Sequence, residues 1–118
     1  MAEMKNLIWW NSAKRDLAQM PAEVQDAFGY ALYLAQVGKK HEHVKPLKGF
    51  GGASVLEVVE AFDGDAYRAV YTVAIADAIY VLHCFQKKSK SGKSTPLPDI
   101  ELIRARLQAA LKHAGATP

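Results

Sequence analysis

The chain has 118 residues, half of them hydrophobic, and a formal net charge of +3. This length predicts one domain, residues 1–118, with enough apolar side chains for a modest core. Cys84 is the only cysteine in the sequence, which excludes an internal disulfide. No apolar run has the length of a membrane span, and the first residues lack the pattern of a signal peptide. We therefore expect a cytoplasmic protein that does not enter a membrane.

Basic residues are concentrated in two stretches. Residues 39–48 contain lysines and histidines with Glu42 as their single acid, and residues 86–118 contain seven lysines and arginines against Asp99 and Glu101. The rest of the chain is net acidic. Two basic stretches on a small domain can form a surface that binds anions; a solvated, solubilising face is the alternative.

The N-terminal part predicts a strand followed by two helices. The apolar, aromatic run at residues 7–10 is typical of a short strand. Asn11 or Ser12 can cap a short helix over residues 13–20. Pro21 suits the first turn of a second helix, and Gly38 is typical of a position just beyond a helix end. The two helices are expected to form a hairpin around Pro21.

The middle of the chain predicts a loop and then three strands. Residues 39–53 are rich in Lys, His and Gly, which favours a loop. Residues 55–62, 67–75 and 78–85 have the composition of strands, and the Asp63-Gly64-Asp65 motif is a hairpin signal. Short connections favour an antiparallel meander. In the middle strand, Tyr67 and Tyr71 share one face and Arg68 shares the other with Val70, Thr72 and Ala74.

The C-terminal part predicts a polar loop over residues 86–98 and a helix over residues 99–114, with Asp99 as its cap. The expected fold class is therefore α+β. Its order is an N-terminal strand, a helical hairpin, an antiparallel three-strand meander and a C-terminal helix.

The end of the last predicted strand carries the main candidate site. Lys87 and Lys88 stand where that strand leaves the sheet, and Lys90 and Lys93 follow in the loop. Together they can neutralise several phosphates of a nucleic acid. A soluble loop is the alternative interpretation.

Arg68 is the basic residue of the middle strand, and its planar guanidinium fits a phosphate or a carboxylate. The alternative to a phosphate is an ion pair with Glu57 or Glu60 on the neighbouring strand, where these two acids fall on opposite faces. Glu57 is also a candidate general base. Lys48 precedes the sheet and is a candidate third charge at its end.

The histidines and the cysteine are weaker candidates. His83 can act as an acid or a base near neutral pH, with a half-buried structural histidine as the alternative. His41 and His43 lack further ligands at a suitable spacing, so no metal site is expected. Cys84 has no base on its own side of the strand, which argues against a cysteine nucleophile.

The middle strand has the pattern Tyr-Arg-x-x-Tyr, and the strand that follows it ends in Phe-x-Lys-Lys. With these two strands stand the segments Leu47-Lys48-Gly49, Leu56-Glu57-Val58, Tyr67-Arg68-Ala69-Val70-Tyr71, residues 81–89 and residues 98–106. Together they resemble the RelE/HigB toxin superfamily, and most closely its phage-derived HigB-like branch; the combination of the two strand patterns is the specific part of the resemblance. The resemblance covers nearly the whole chain.

The resemblance implies a RelE-like α+β fold and the toxin of a type II toxin-antitoxin system. Such toxins are typically ribosome-dependent endoribonucleases that cut translated mRNA and inhibit translation without a metal or another cofactor. Their basic side chains assist the attack of a ribose 2′-OH on the adjacent phosphate, because fixed positive charge stabilises the transition state. The partners implied are mRNA on the ribosome and a helix-turn-helix antitoxin that covers the basic face.

The resemblance also assigns roles to residues. Arg68, with Lys87 or Lys88, matches the basic residues that act at the phosphate. Contacts with RNA are expected from the remaining cations of the candidate surface, which are Lys48, Lys90, Lys93 and Arg104.

The chain departs from the family pattern in the first strand of the meander. Many relatives carry Glu-Leu-Arg there, whereas this chain has Glu57-Val58-Val59. The tyrosine that RelE carries near its C-terminus also has no counterpart. The general acid and base are therefore not assigned; Glu57 and His83 are the candidates for these roles. A catalytically silent RNA- or protein-binding module, of phage origin and on the same fold, is the alternative function.

Overall fold

The computed structural model describes residues 4–51, 54–87 and 95–115. Within those ranges, five strands and three helices follow one another along the chain. They are β1 (Asn6–Trp9), α1 (Ala13–Ala18), α2 (Ala22–Gln36), β2 (Val44–Pro46), β3 (Val55–Phe62), β4 (Asp65–Ile75), β5 (Ala78–Lys87) and α3 (Leu97–His113). The α+β class, the N-terminal strand and helices, the antiparallel meander and the C-terminal helix are confirmed. The architecture is compatible with a RelE-like fold.

One element was predicted wrongly. Residues 39–53 were expected to be a loop, but β2 lies within them and pairs antiparallel with β3. Three residues are too few to show a strand periodicity, so the pairing with β3 and not local propensity defines this strand. Pro46 is tolerated because β2 is the edge strand of the sheet, where a missing N–H leaves no ladder bond unmade.

The predicted cap of α3 was also wrong. The helix begins at Leu97 with Pro96 in the N-cap position, so Asp99 lies in its first turn. A proline fits there because the first N–H groups of a helix have no partner within the helix. The carboxylate of Asp99 bonds His83 instead of capping the backbone.

The five strands form one sheet in the order β1-β5-β4-β3-β2. β1 pairs parallel with β5, and the other neighbours are antiparallel. Asp63 and Gly64 both have positive φ, 52° and 86°, in the two-residue turn between β3 and β4. This conformation matches the twist of a hairpin and is easiest for glycine, as the Asp-Gly motif predicted.

Helices cover the sheet on both faces. Phe28 and Leu32 of α2 are fully buried against one face, together with Tyr71 of β4. Ile103 of α3 is fully buried against the other face, with Val70 of β4. Each of these large apolar side chains contributes about 1.5–3 kcal/mol when it is removed from water. The alternation predicted for β4 is confirmed, and Arg68 therefore lies on the α3 side.

A register shift in the β4–β5 ladder determines which side chains of β5 join Arg68. Val70 pairs with His83 but Tyr71 pairs with Val81, so Leu82 is an extra residue in β5. Such a bulge places two successive side chains on one side of the strand. Leu82 packs in the α3-side core, and His83 bonds α3 as well. After the bulge the side chains alternate again, so Phe85 and Lys87 project to the α3 side with Arg68.

Candidate nucleic-acid interface

Four ionic side chains from four neighbouring strands project from the α3 side of the sheet. Opposed residues in an antiparallel ladder project to the same face, so the register can be followed from strand to strand. The pairs are Lys45 with Glu57, Glu57 with Val70, Arg68 with Phe85, and Ala66 with Lys87. We call Lys45, Glu57, Arg68 and Lys87, together with Thr95, the charge cluster.

Arg68, Glu57 and Thr95 form a closed hydrogen-bond network. The Nη1 atom of Arg68 lies 3.0 Å from both Oε1 and Oε2 of Glu57. The same nitrogen donates to Oγ1 of Thr95 at 3.2 Å, and that hydroxyl donates to Oε2 of Glu57 at 2.7 Å. The network holds the guanidinium and the carboxylate in one orientation, because each group is bonded to the other two.

The Arg68–Glu57 pair is buried, with 4% of Arg68 and 1% of Glu57 exposed. Burial of charge is unfavourable unless the charges are paired and hydrogen-bonded, and here both conditions hold. Glu57 is thus one of the two partners that the sequence allowed for Arg68. Glu60, the other, lies on the opposite face, where its carboxylate is 2.8 Å from Nδ1 of His43.

Lys87 is buried at the end of β5. Burial lowers the pKa of its ammonium group, the positive charge of Arg68 and more weakly that of Lys45 lower it further, and Glu57 acts in the opposite direction. A lysine in this setting releases its proton more readily than a lysine in water. It is therefore a better candidate for proton transfer than the exposed lysines of the surface.

A cleft of about 440 Å³ adjoins the charge cluster. Lys45 and Lys48, both exposed, stand on the β2 side of the cleft. Ile100 of α3 stands on the other side, and Glu57 and Thr95 also contribute to its lining. Lys48 thus lies at the cleft, and its role as a third charge of the site stays a prediction.

Lys45 was not singled out from the sequence. It was one basic residue among several in a segment expected to be a loop. No local pattern distinguishes it, since its position depends on the pairing of β2 with β3. The signal in the sequence that could have identified Lys45 was its positive charge, three residues before the predicted Lys48.

The structure does not bring His83 to the charge cluster. His83 precedes Lys87 by four residues on β5, which corresponds to about 13 Å along a strand. Its Nε2 atom lies 2.9 Å from Oδ1 of Asp99, and its ring stacks on Phe85 with centroids 4.5 Å apart. Burial lowers the pKa of His83, although the bond to Asp99 acts in the opposite direction. These contacts favour the structural interpretation of this histidine.

Arg104 lies beside the cleft rather than in its lining. Its guanidinium carbon is 4.7 Å from the centroid of the Phe50 ring, and Nη2 donates to the carbonyl of Gly49 at 3.2 Å. The other predicted RNA contacts, Lys90 and Lys93, and the second candidate at the strand end, Lys88, lie outside the described residues.

A second hollow, of about 580 Å³, lies at the opposite edge of the sheet beside β1 and the end of α2. Lys5 lines it, but the ammonium group is 3.6 Å from the carboxylate of Asp77. Its charge is thus largely balanced, so this hollow is less suited to a polyanion than the cleft at β2.

Among residues 4–51, 54–87 and 95–115, no group of three or more His, Cys, Asp or Glu side chains could hold a metal ion. None of the helices in the described part of the chain is long and apolar enough to cross a membrane.

Comparison with known proteins places the chain in a family. Residues 15–108 match the family described as phage-derived protein Gp49-like (DUF891), a RelE-like, toxin-like family. The match spans most of the chain and includes Lys45, Glu57, Arg68 and Lys87, and this protein belongs to the Gp49-like family. A search of curated proteins found no match. The finer assignment to a HigB-like branch stays a prediction.

Proposed function

We propose that this protein is the toxin of a type II toxin-antitoxin system and that it cuts mRNA on the ribosome, in the cytoplasm, without a metal ion. Membership of the toxin-like Gp49-like family supports the class. The observation that carries the proposal is the charge cluster. In the described residues it sets three cations, Lys45, Arg68 and Lys87, around the carboxylate of Glu57 beside a surface cleft.

The proposed reaction uses groups that the RNA already contains. The ribose 2′-oxygen forms a bond with the adjacent phosphorus, and the bond from phosphorus to the 5′-oxygen of the next nucleotide breaks. The 2′-OH gives up a proton and the departing 5′-oxygen receives one, so the products are a 2′,3′-cyclic phosphate and a 5′-OH. Positive charge held at the phosphate stabilises the additional negative charge of the transition state.

The residues of the charge cluster suit different parts of this reaction. Lys87 is the candidate for proton transfer, because it lies at the end of β5 on the same side of the sheet as Arg68, and burial and that positive charge lower its pKa. Arg68 and Lys45 supply charge at the phosphate. Glu57 is already bonded to Arg68 and Thr95, which favours a role in orienting the guanidinium over that of general base.

The proposed partners are mRNA in the ribosome and a helix-turn-helix antitoxin that covers the basic face. The exposed Lys45 and Lys48 at the cleft give that face its charge. A gene for a small helix-turn-helix protein next to the gene for this chain would support the second partner.

Inducible expression in bacteria tests the function. We expect the wild type to arrest growth and to produce new 5′ ends within translated mRNA, detected by primer extension. Lys87→Gln and Lys45→Gln are each expected to reduce cleavage at least about tenfold, since the loss of one transition-state contact of this kind costs at least that much. Lys14→Gln, which removes an exposed lysine of α1 on the other side of the sheet, is the control and should retain arrest and cleavage.

Circular dichroism and thermal unfolding of each variant show whether a loss of cleavage is due to the missing functional group or to unfolding of the protein. Arrest by the wild type with no cleaved mRNA, or full cleavage by folded Lys87→Gln, would contradict the proposed role of the cluster.

The buried state of Arg68 favours one other function. With 4% of the residue exposed and its guanidinium bonded to Glu57 and Thr95, this arginine is also suited to a purely structural role. The chain would then be a catalytically silent RNA- or protein-binding module on the same fold. Binding of RNA by a protein that causes neither arrest nor cleavage is the result that distinguishes this function from the toxin.

A further inference from the structure

We infer that the cleft between β2 and α3 receives one base of single-stranded RNA and that the Arg104–Phe50 pair stacks on the neighbouring base. This inference rests on the proposed function, which supplies RNA as the ligand. It concerns how bases, rather than phosphates, are held, and the proposed base contacts come from residues outside the charge cluster.

Most of the exposed surface that lines the cleft is apolar. Pro46 and Leu47 line it from the β2 side, and Ile100 lines it from α3. Lys45 and Lys48 stand on the same rim as Pro46 and Leu47. Apolar walls with a few polar groups are typical of small-molecule sites, and about 440 Å³ is ample for a purine.

Three of the polar residues that line the cleft, Lys45, Glu57 and Thr95, belong to the charge cluster. Lys45 is directly opposite Glu57 in the β2–β3 ladder, and Glu57 is bonded to Arg68. Charged side chains therefore extend across the sheet from the cleft toward β5. A nucleotide with its base between Leu47 and Ile100 would have its phosphate beside Lys45 and the cluster.

Arg104 extends the same surface in the other direction. It follows Ile100 by four residues on α3, so the two side chains lie on the same side of the helix one turn apart. Its guanidinium covers the ring of Phe50 and donates to the carbonyl of Gly49, which follows Lys48 in the chain. Arg104 is exposed and its guanidinium carbon lies 4.7 Å from the centroid of the Phe50 ring, so the guanidinium is held over the ring and is still accessible to a ligand.

A guanidinium plane fixed on an aromatic ring is a suitable platform for an unpaired base. RNA-binding proteins stack unpaired bases on aromatic side chains and on arginine planes, and this stacking tolerates different bases because each has a π face. The loop that holds Phe50 and the helix that holds Arg104 thus form the second of two adjacent base positions. A lysine at position 104 would keep the charge but lose the plane.

Fluorescence anisotropy with two labelled tetranucleotides tests the inference. One is 2′-fluoro oligoadenylate, which lacks the attacking hydroxyl; the other is an abasic phosphodiester of equal length and charge. We expect the wild type to bind the base-bearing probe about tenfold more tightly or better, since stacking of even one base contributes that much. Arg104→Lys should weaken binding of this probe about fivefold or more and leave the abasic probe within about twofold.

Arg15→Lys is the matched control, because Arg15 is an exposed arginine of α1 on the other side of the sheet. It should change neither affinity. Methyl NMR gives a second readout: ring currents from a bound base should shift the methyl signals of Leu47 and Ile100 with the base-bearing probe and not with the abasic one.

Equal affinities for the two probes, equal weakening of both by Arg104→Lys, or no binding of either at millimolar concentration would overturn the inference. Translational arrest combined with any of these results rejects the base positions and leaves the toxin proposal intact. Base-dependent binding without arrest or cleavage retains the base positions and rejects the toxin.

Discussion

Arg68 is a buried charge whose pairing with Glu57 affects both the stability of the fold and the electrostatics of the site. Its Nη1 atom lies 3.0 Å from each oxygen of the Glu57 carboxylate, in a part of the molecule that water barely reaches. The pairing keeps a charge buried that would otherwise be strongly unfavourable. The same pairing fixes the orientation of the guanidinium and balances its charge, so the net positive charge of the cluster comes from Lys45 and Lys87.

We therefore expect Glu57→Gln to lower the free energy of unfolding by about 3 kcal/mol, because it leaves the buried charge of Arg68 without its counter-charge. Urea denaturation at pH 7 measures the change. The double variant Glu57→Leu/Arg68→Met is expected to recover most of the loss, since apolar replacement of a whole buried pair is often neutral. A loss below about 1 kcal/mol for Glu57→Gln would show that other groups compensate the charge of Arg68.

For single residues, the sequence indicated which residue types belong to the candidate site, but it did not indicate which of them contact one another. Arg68, Glu57 and Lys87 could be chosen because charged residues stand out in apolar, β-branched strands. Lys45 and Thr95 could not be, since neither differs from ordinary loop residues. Both acquire their positions through contacts with Glu57, which is 38 residues before Thr95.

Among the elements, α3 is attached to the sheet by polar contacts as well as by its apolar stripe. Asp99 bonds His83 of β5, and Arg106 donates to the carbonyl of Leu82 at 2.8 Å and to the hydroxyl of Ser12 at 3.2 Å. The bulge in β5 makes this possible by directing His83 toward α3. The N-terminal end of α3 also borders the cleft through Ile100, so the docking of the helix and the shape of the cleft are coupled.

The stability of the protein is expected to depend on pH through His83. The groups around it are Asp99 and Arg106 of α3, Asp16 of α1 and the ring of Phe85. Burial outweighs the opposing effect of Asp99, so the pKa of His83 in the folded state lies below 6.5. The unfolded chain, with a histidine pKa near 6.5, therefore takes up the proton first as the pH falls. The contribution of neutral His83 is present above pH 6.5 and is lost as the pH falls below it toward the folded-state pKa.

Free energies of unfolding at pH 7, 6 and 5 measure this effect. His83→Gln should show a smaller decrease from pH 7 to pH 5 than the wild type, because the residue no longer takes up a proton. His113→Gln, which alters the exposed histidine at the end of α3, keeps His83 and serves as the control. A decrease in His83→Gln as large as that of the wild type would assign the pH dependence to other groups.

On the scale of the whole molecule, helices on both faces of the sheet create two separate apolar layers. Cys84 lies in the layer beneath α1 and α2, with 2% of the residue exposed. Burial raises the pKa of its thiol to about 12. At neutral pH the reactive thiolate is therefore scarce and inaccessible, as expected for a cysteine that is not a nucleophile.

Cys84 should consequently report the opening of the molecule. We expect its reaction with 5,5′-dithiobis(2-nitrobenzoic acid) at pH 8 to be slow in native buffer and to accelerate with urea in parallel with global unfolding. Lys14→Cys adds an exposed thiol on α1 and should show one equivalent that reacts within seconds. Rapid modification of Cys84 in native wild-type protein would reveal a local opening of this layer.

The sequence by itself determined the α+β class, the meander and its Asp-Gly turn, the two faces of β4 and the residue types of the site. These features depend on periodicity and on turn residues, which act over a few neighbouring positions. Tertiary structure alone decided that residues 44–46 are a strand, that Lys45 faces Glu57, that Thr95 joins Glu57 and Arg68, and that His83 turns toward α3. Each of these depends on the register between segments far apart in the chain, and register is set by packing of the whole sheet against its helices.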